Sequence, residues 1–150
     1  MRIRPDGRGA WSEASQGPYG RPMVRGDAPS TTVDEYLAAL PLDSARALAD
    51  VRDTLVRLVP DAGQVISYQV PCITYRGKPL VSISHARDHL SLHLQSPPLA
   101  RALSNEVTEG HWSGATLHFT AEAPLSEATL RQVVDGRIAE VDAALAARKR

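Results

Sequence analysis

Three segments of this chain alternate polar and apolar residues at a period of two, which admits strands with one buried and one polar face and little else. Val81 and Ile83 alternate with Ser82 and Ser84. Leu90, Leu92 and Leu94 alternate with His89, Ser91 and His93, and Leu117 and Phe119 alternate with Thr116 and His118. Sheets of this kind must find apolar cover for one face from elsewhere in the chain.

The flanking segments supply it. Thr32 with Glu35 three residues on has the spacing of a capping box, and predicts a short helix from Val33 to Leu40 that Pro41 ends. Asp43 is placed to cap a second helix, whose apolar positions Leu48, Val51, Leu55, Leu58 and Val59 recur at helical spacing up to Pro60. The chain closes with Leu130, Val133, Val134, Ile138, Val141 and Leu145, a stripe on one long helix, before a charged Arg148 to Arg150 tail. Between these helices the pattern predicts strands at Gln64 to Tyr68, Cys72 to Tyr75, Leu80 to Ser84, His89 to Gln95 and Ala115 to Phe119. Turns fall at Arg76 to Pro79 and at Ala86 to Asp88, a short helix begins at Pro98, and Gly110 and Gly114 bracket a loop. The expected fold class is α+β, an antiparallel sheet of about five strands covered on one face by helices. Leu55, Leu58, Leu92, Phe119, Val134 and Ile138 are its expected deep core.

Residues 1–30 read differently. They are rich in Gly and Pro, nearly free of aliphatic side chains, and are expected to be a disordered leader, with one domain over residues 31–147. The leader's five Arg against Asp6, Glu13 and Asp27 leave it at +2, so the remaining 12 basic and 14 acidic groups leave the body at −2. With Lys plus Arg and Asp plus Glu balanced at 17 each, the strongly basic surface of a nucleic-acid binder is not expected. The first residues contain no apolar run for a signal peptide or membrane span, so no membrane association is expected and the cytoplasm is the expected compartment.

Histidine is the residue type with chemistry to offer. The segment His85-Ala86-Arg87-Asp88-His89 nearly matches an inverted zincin motif, but that motif needs a helix and this segment reads as a strand turn. His89 and His93 lie on one face of one strand yet roughly 13 Å apart, too far to share an ion at bond lengths near 2 Å. If the strand carrying His118 lies alongside, His118 approaches one of them and forms a two-imidazole metal or anion site. His89, His93 and His118 are therefore the candidate metal ligands. Ser82, Ser84, Ser91 and Thr116 on the same face are the candidate polar contacts for another ligand. The plainer reading is a half-solvated sheet face.

Other constellations are weaker. Asp34, Glu35, Asp43, Asp50 and Asp53 form an acidic ridge, but Arg46, Arg52 and Arg57 interleave with them as ion-pair partners. Cys72 reads as a small core residue. No nucleophile elbow, phosphate-binding glycine loop or paired-carboxylate motif is present, so no enzyme is expected. The one assembly that spacing rules would miss is Glu109, His111 and Ser113 around the two glycines.

The segments Thr32 to Leu40 (TVDEYLAAL), Val65 to Pro71 (VISYQVP), Gly77 to Leu80 (GKPL), the strand with His89, and Ala115 to Phe119 (ATLHF) before a long helix together resemble the YdhG-like domain-of-unknown-function family. Its best-known bacterial members are described as frataxin-like intracellular iron chaperones. The resemblance spans roughly residues 31 to 145. It departs from the family pattern where Arg87 stands for a lysine and where Ser113 and Thr120 replace a lysine and a proline. It implies an antiparallel sheet with helices on one face, and a non-catalytic protein that binds or delivers iron. The alternative from the residues themselves is a metal-free module that recognises a protein or small molecule through the polar sheet face.

Overall fold

The computed structural model describes residues 31–148; the expected leader, Lys149 and Arg150 lie outside the described residues. Helix α1, Val33–Ala38, starts on the expected capping box: Thr32 Oγ1 accepts from the Glu35 N–H at 3.1 Å, and the Glu35 carboxylate accepts from the backbone N–H of Thr31 and Thr32. Helix α2, Leu42–Leu58, differs from expectation at its start, because Pro41 takes the N-cap position and Asp43 falls in the first turn. There its charge faces the positive end of the helix dipole instead of capping an N–H.

Strands β1, Gly63–Ser67, β2, Val70–Tyr75, β3, Lys78–His85, and β4, Leu90–His93, follow. Helix α3, Pro97–Leu103, is capped by Ser96, whose hydroxyl accepts from the Leu99 N–H at 3.2 Å. Strands β5, His111–Ser113, and β6, Thr116–Phe119, lead into helix α4, Glu127–Arg148. All pairings are antiparallel, in the order β1-β2-β3-β4-β6-β5.

The sheet thus has six strands where about five were expected. The added strand is β5, read from sequence as a loop. It is three residues long, too short for a period to show, and it lies between Gly110 at φ +68 and Gly114 at φ +58. Gly114 is the first residue of the two-residue turn between Ser113 and Thr116, the position where a hairpin needs positive φ. Strand β4 is shorter than expected at both ends, leaving His89 in the preceding turn and ending at His93, and β3 is longer, taking in Lys78, Pro79 and His85.

All four helices pack on one sheet face. Ile73, Val81, Ile83, Leu92, Leu94 and Leu117 from the sheet join Val33 and Leu37 of α1, Leu48, Val51 and Leu55 of α2, Ala100 and Leu103 of α3, and Leu130, Val133 and Val134 of α4 in one core. Of the expected deep core, Leu55, Leu92, Phe119 and Val134 are buried, whereas Leu58 and Ile138 are only partly so. Leu58 ends α2 and Val59 turns inward in its place, while Ile138 packs on the margin of the core. Arg137 of α4 ties the helix layer to the sheet through the Leu80 and Pro79 carbonyls at 2.8 and 3.0 Å.

Leu92 is fully buried in the central strand between Ile83 and Leu117. Its replacement by alanine is expected to lower unfolding free energy by about 2–5 kcal/mol in a denaturant melt. Unchanged stability would contradict the packing described.

Candidate functional site

The sheet face away from the helices carries the histidines, and the register shows why they meet. Ser82 pairs with His93 and His93 with Thr116 across β3, β4 and β6; one pair along, Ser84 faces Ser91, Ser91 faces His118, and His118 faces His111 on β5. Every residue in these two rows points away from the helices, since its strand neighbours Ile83, Leu92, Trp112 and Leu117 point toward them.

His93 is built into the sheet. Its Nε2 hydrogen-bonds with Ser84 Oγ at 2.8 Å and its Nδ1 with Thr116 Oγ1 at 3.0 Å, so both ring nitrogens are engaged. Burial, then the nearby imidazoles of His118 and His89, pushes its pKa from the ordinary 6.5 down to about 4. A metal could reach His93 only by displacing one of these hydroxyls.

His118 is half tied. Its Nδ1 hydrogen-bonds with the buried Ser91 hydroxyl at 2.8 Å, and no described residue bonds its Nε2. The His89 ring meets it edge to face, with centroids 4.5 Å apart and planes at 77°. His111 stacks on its other side at 6.3 Å and 19°. Burial lowers the pKa of His89, against a smaller opposing pull from Asp88. It lowers that of His118 too, helped by His89 and His111. Both rings are therefore mainly neutral at pH 7, with lone pairs for a Lewis acid instead of charge for an anion.

The hydroxyls expected to contact a ligand are already hydrogen-bonded within the face, three of them to these rings. Ser84 and Thr116 hold His93, Ser91 holds His118, and Ser82 accepts from Gln95 Nε2 at 2.7 Å. Gln95 adopts φ +60 just past β4, and its amide also approaches Cys72 Sγ at 3.9 Å, so Cys72 lies buried beside Ser82.

Of the three candidate metal ligands, the fold brings His89 and His118 together and keeps His93 within its own network. Among the described residues no three or more His, Cys, Asp or Glu side chains are gathered as a metal's ligand set. His85 and His89 flank the turn between β3 and β4, not a helix, as the strand reading of that segment required. The acidic ridge is divided: Arg52 pairs with Asp34 at 2.9 Å and with Asp53 at 2.6 Å. Asp43 and Asp50 instead line, with Glu122 and Glu127, a groove of about 400 Å³ floored by Val51, Leu125 and Leu130. Glu109 accepts from the Ser126 N–H at 2.9 Å before α4, a bond that lowers its pKa and commits its carboxylate away from His111 and Ser113.

Sequence reasoning placed His111 in a loop and so missed its place in the row. Trp112 held the signal, because an apolar residue between His111 and Ser113, flanked by glycines, marks a minimal hairpin strand. Trp112 packs against the core and donates from Nε1 to the Val107 carbonyl at 3.1 Å.

An imidazole with a lowered pKa binds its proton less readily folded than unfolded. Its stabilising contribution is thus full above about pH 6.5 and is lost as pH falls toward 4. For His93 that loss is on the order of 3 kcal/mol, from the drop in pKa from 6.5 to about 4. The melting temperature is expected to fall over this window and to fall less steeply in a His93→Gln variant. A His93 ring signal titrating near pH 6.5 by NMR would contradict the buried network.

The fold is similar to that in the crystal structure of a DUF1801-family protein, YdhG, from Bacillus subtilis. The TM-score is 0.67 and the identity 14%, over 73% of this chain and 90% of that one. No protein-family model and no curated protein matches the chain. No described helix is long and apolar enough to cross a membrane. What this chain shares with the Bacillus subtilis protein is the α+β fold, with its antiparallel sheet and one-sided helix layer.

Proposed function

We propose that this chain is a small, non-catalytic cytoplasmic protein that holds a divalent transition metal, ferrous iron as its cargo, at the His89–His118 edge of the open sheet face. The observation that carries the reading is the pair itself: two imidazoles 4.5 Å apart, both with lowered pKa, one of them oriented by a buried hydroxyl. Metal-bound histidines characteristically have their second nitrogen fixed in this way. Imidazole suits iron, zinc and nickel, whereas magnesium and calcium take oxygen ligands. A pair of neutral ligands holds such an ion weakly and leaves coordination positions open to a receiving protein, as delivery requires. Iron as the cargo rests on the sequence resemblance to YdhG-like proteins.

A second reading is a metal-free binding module using the same face, favoured by its continuity: all four helices pack on the opposite side, leaving a polar surface across β3, β4 and β6.

Anaerobic titration with ferrous iron, followed by elemental analysis, separates the two. Binding at micromolar metal is expected at pH 7, weakened at least about tenfold in a His89→Ala, His118→Ala variant. Proton competition should set in only below the ordinary imidazole pKa of 6.5, because both pKa values are lowered. Full affinity in the variant would move the metal off this face, and no binding by the native chain would favour the metal-free module.

A further inference from the structure

We infer that His111 joins His89 and His118 as the third imidazole of a single site for a borderline divalent cation, with three nitrogen donors contributed from the turn entering β4, from β6 and from β5. This rests on the reading that the His89–His118 edge takes a metal, and it adds the donor number and the identity of the third donor. His93, although nearer the middle of the sheet, is excluded because Ser84 and Thr116 occupy both of its nitrogens.

His118 is the centre of the row. It has His89 on one side at 4.5 Å and His111 on the other at 6.3 Å, and His111 is its direct register partner. Two imidazoles bound to one ion at 2.0–2.1 Å place their ring centroids about 4.5 Å apart at a right angle and about 5.2 Å apart at the tetrahedral angle. The first pair, at 4.5 Å, lies at the lower end of that range. The second must close by about 1–2 Å. His111 is exposed, and no described residue hydrogen-bonds its ring, so its side-chain torsions are free to turn toward His118. His118 stays fixed meanwhile, because Ser91 is buried and holds its Nδ1; when Ser91 accepts from Nδ1–H, the Nε2 lone pair is the one left for metal.

The backbone supports this placement independently. Gly110 sits at φ +68 immediately before His111, and a Cβ there would collide with the His118 carbonyl oxygen and press on Leu117. The glycine therefore lets the start of β5 approach β6 at the residue pair that carries the two imidazoles. Strand β5 does nothing else on this face except present Ser113 opposite Thr116. Three imidazoles select ferrous iron, cobalt, nickel or zinc over magnesium and calcium. Donors on one side of the ion leave its solvent side for water or for a receiving protein's ligands.

Zinc is a convenient probe, being diamagnetic and redox-inert. Long-range proton–nitrogen NMR correlations through the ring C–H protons report each imidazole of the full chain during titration. Three of the five histidines are expected to shift a nitrogen on saturation, namely His89, His111 and His118. In a His111→Ala variant, a surface change that leaves the core untouched, two should shift and zinc affinity should drop at least about tenfold. Responses from His89 and His118 alone, with unchanged affinity in His111→Ala, would overturn the three-donor site and leave the pair intact. Absence of any imidazole response would overturn both.

Discussion

Leu92, Leu94, Leu117 and Phe119 form an apolar sheet face that water would not tolerate bare, and α2 and α4 cover it with Leu48, Leu55, Val133 and Val134. Because every helix is drawn to that side, the opposite face must satisfy its own polar groups within the sheet. It does so through cross-strand pairs, with hydroxyls of Ser84, Ser91 and Thr116 set against the nitrogens of His93 and His118. The chemistry of the open face follows from the demand of the closed one.

Magnitudes separate the parts of this arrangement. The ion pairs of Arg57 and Arg76 lie at the surface, where solvent screens them and they add little to stability. Burial of each leucine between sheet and helices contributes about 1.5–3 kcal/mol, so the core dominates the stability. Within the open face, burial decides which histidine is structural. His93, doubly bonded and the most strongly desolvated, stays neutral to about pH 4, while His89 and His118 remain partly exposed with nitrogen to offer. His93 inside β4 and His89 just before it therefore have different duties, set by their neighbours.

Much of this was legible in the sequence, because a period of two reports which residues share a face. The alternation in β3, β4 and β6 follows from it, and the capping box of α1 and the apolar stripes of α2 and α4 follow from their own spacings, whereas spacing left open whether His118 would approach His89 or His93. Register was not legible: that Ser84 and Thr116 close around His93 depends on which residue faces which across three strands, and periodicity is silent on that. Strand β5 escaped notice because three residues cannot display a period. Asp43 resembled a cap because its residue type suits one, but Pro41 at the helix start had already taken the position. Leu58 and Ile138 fit the stripe of their helices yet fall at its margins, since helical spacing gives the direction of a side chain and not the extent of what it faces.

The proposed metal site lies on the open face, at the nitrogens around His118. Anomalous diffraction at the iron edge, from crystals grown anaerobically with ferrous iron, tests it most directly. A peak is expected at bonding distance from His118 Nε2, on the side of the sheet opposite the helices. A peak instead in the groove lined by Asp43, Asp50, Glu122 and Glu127, or no peak at all, would contradict it.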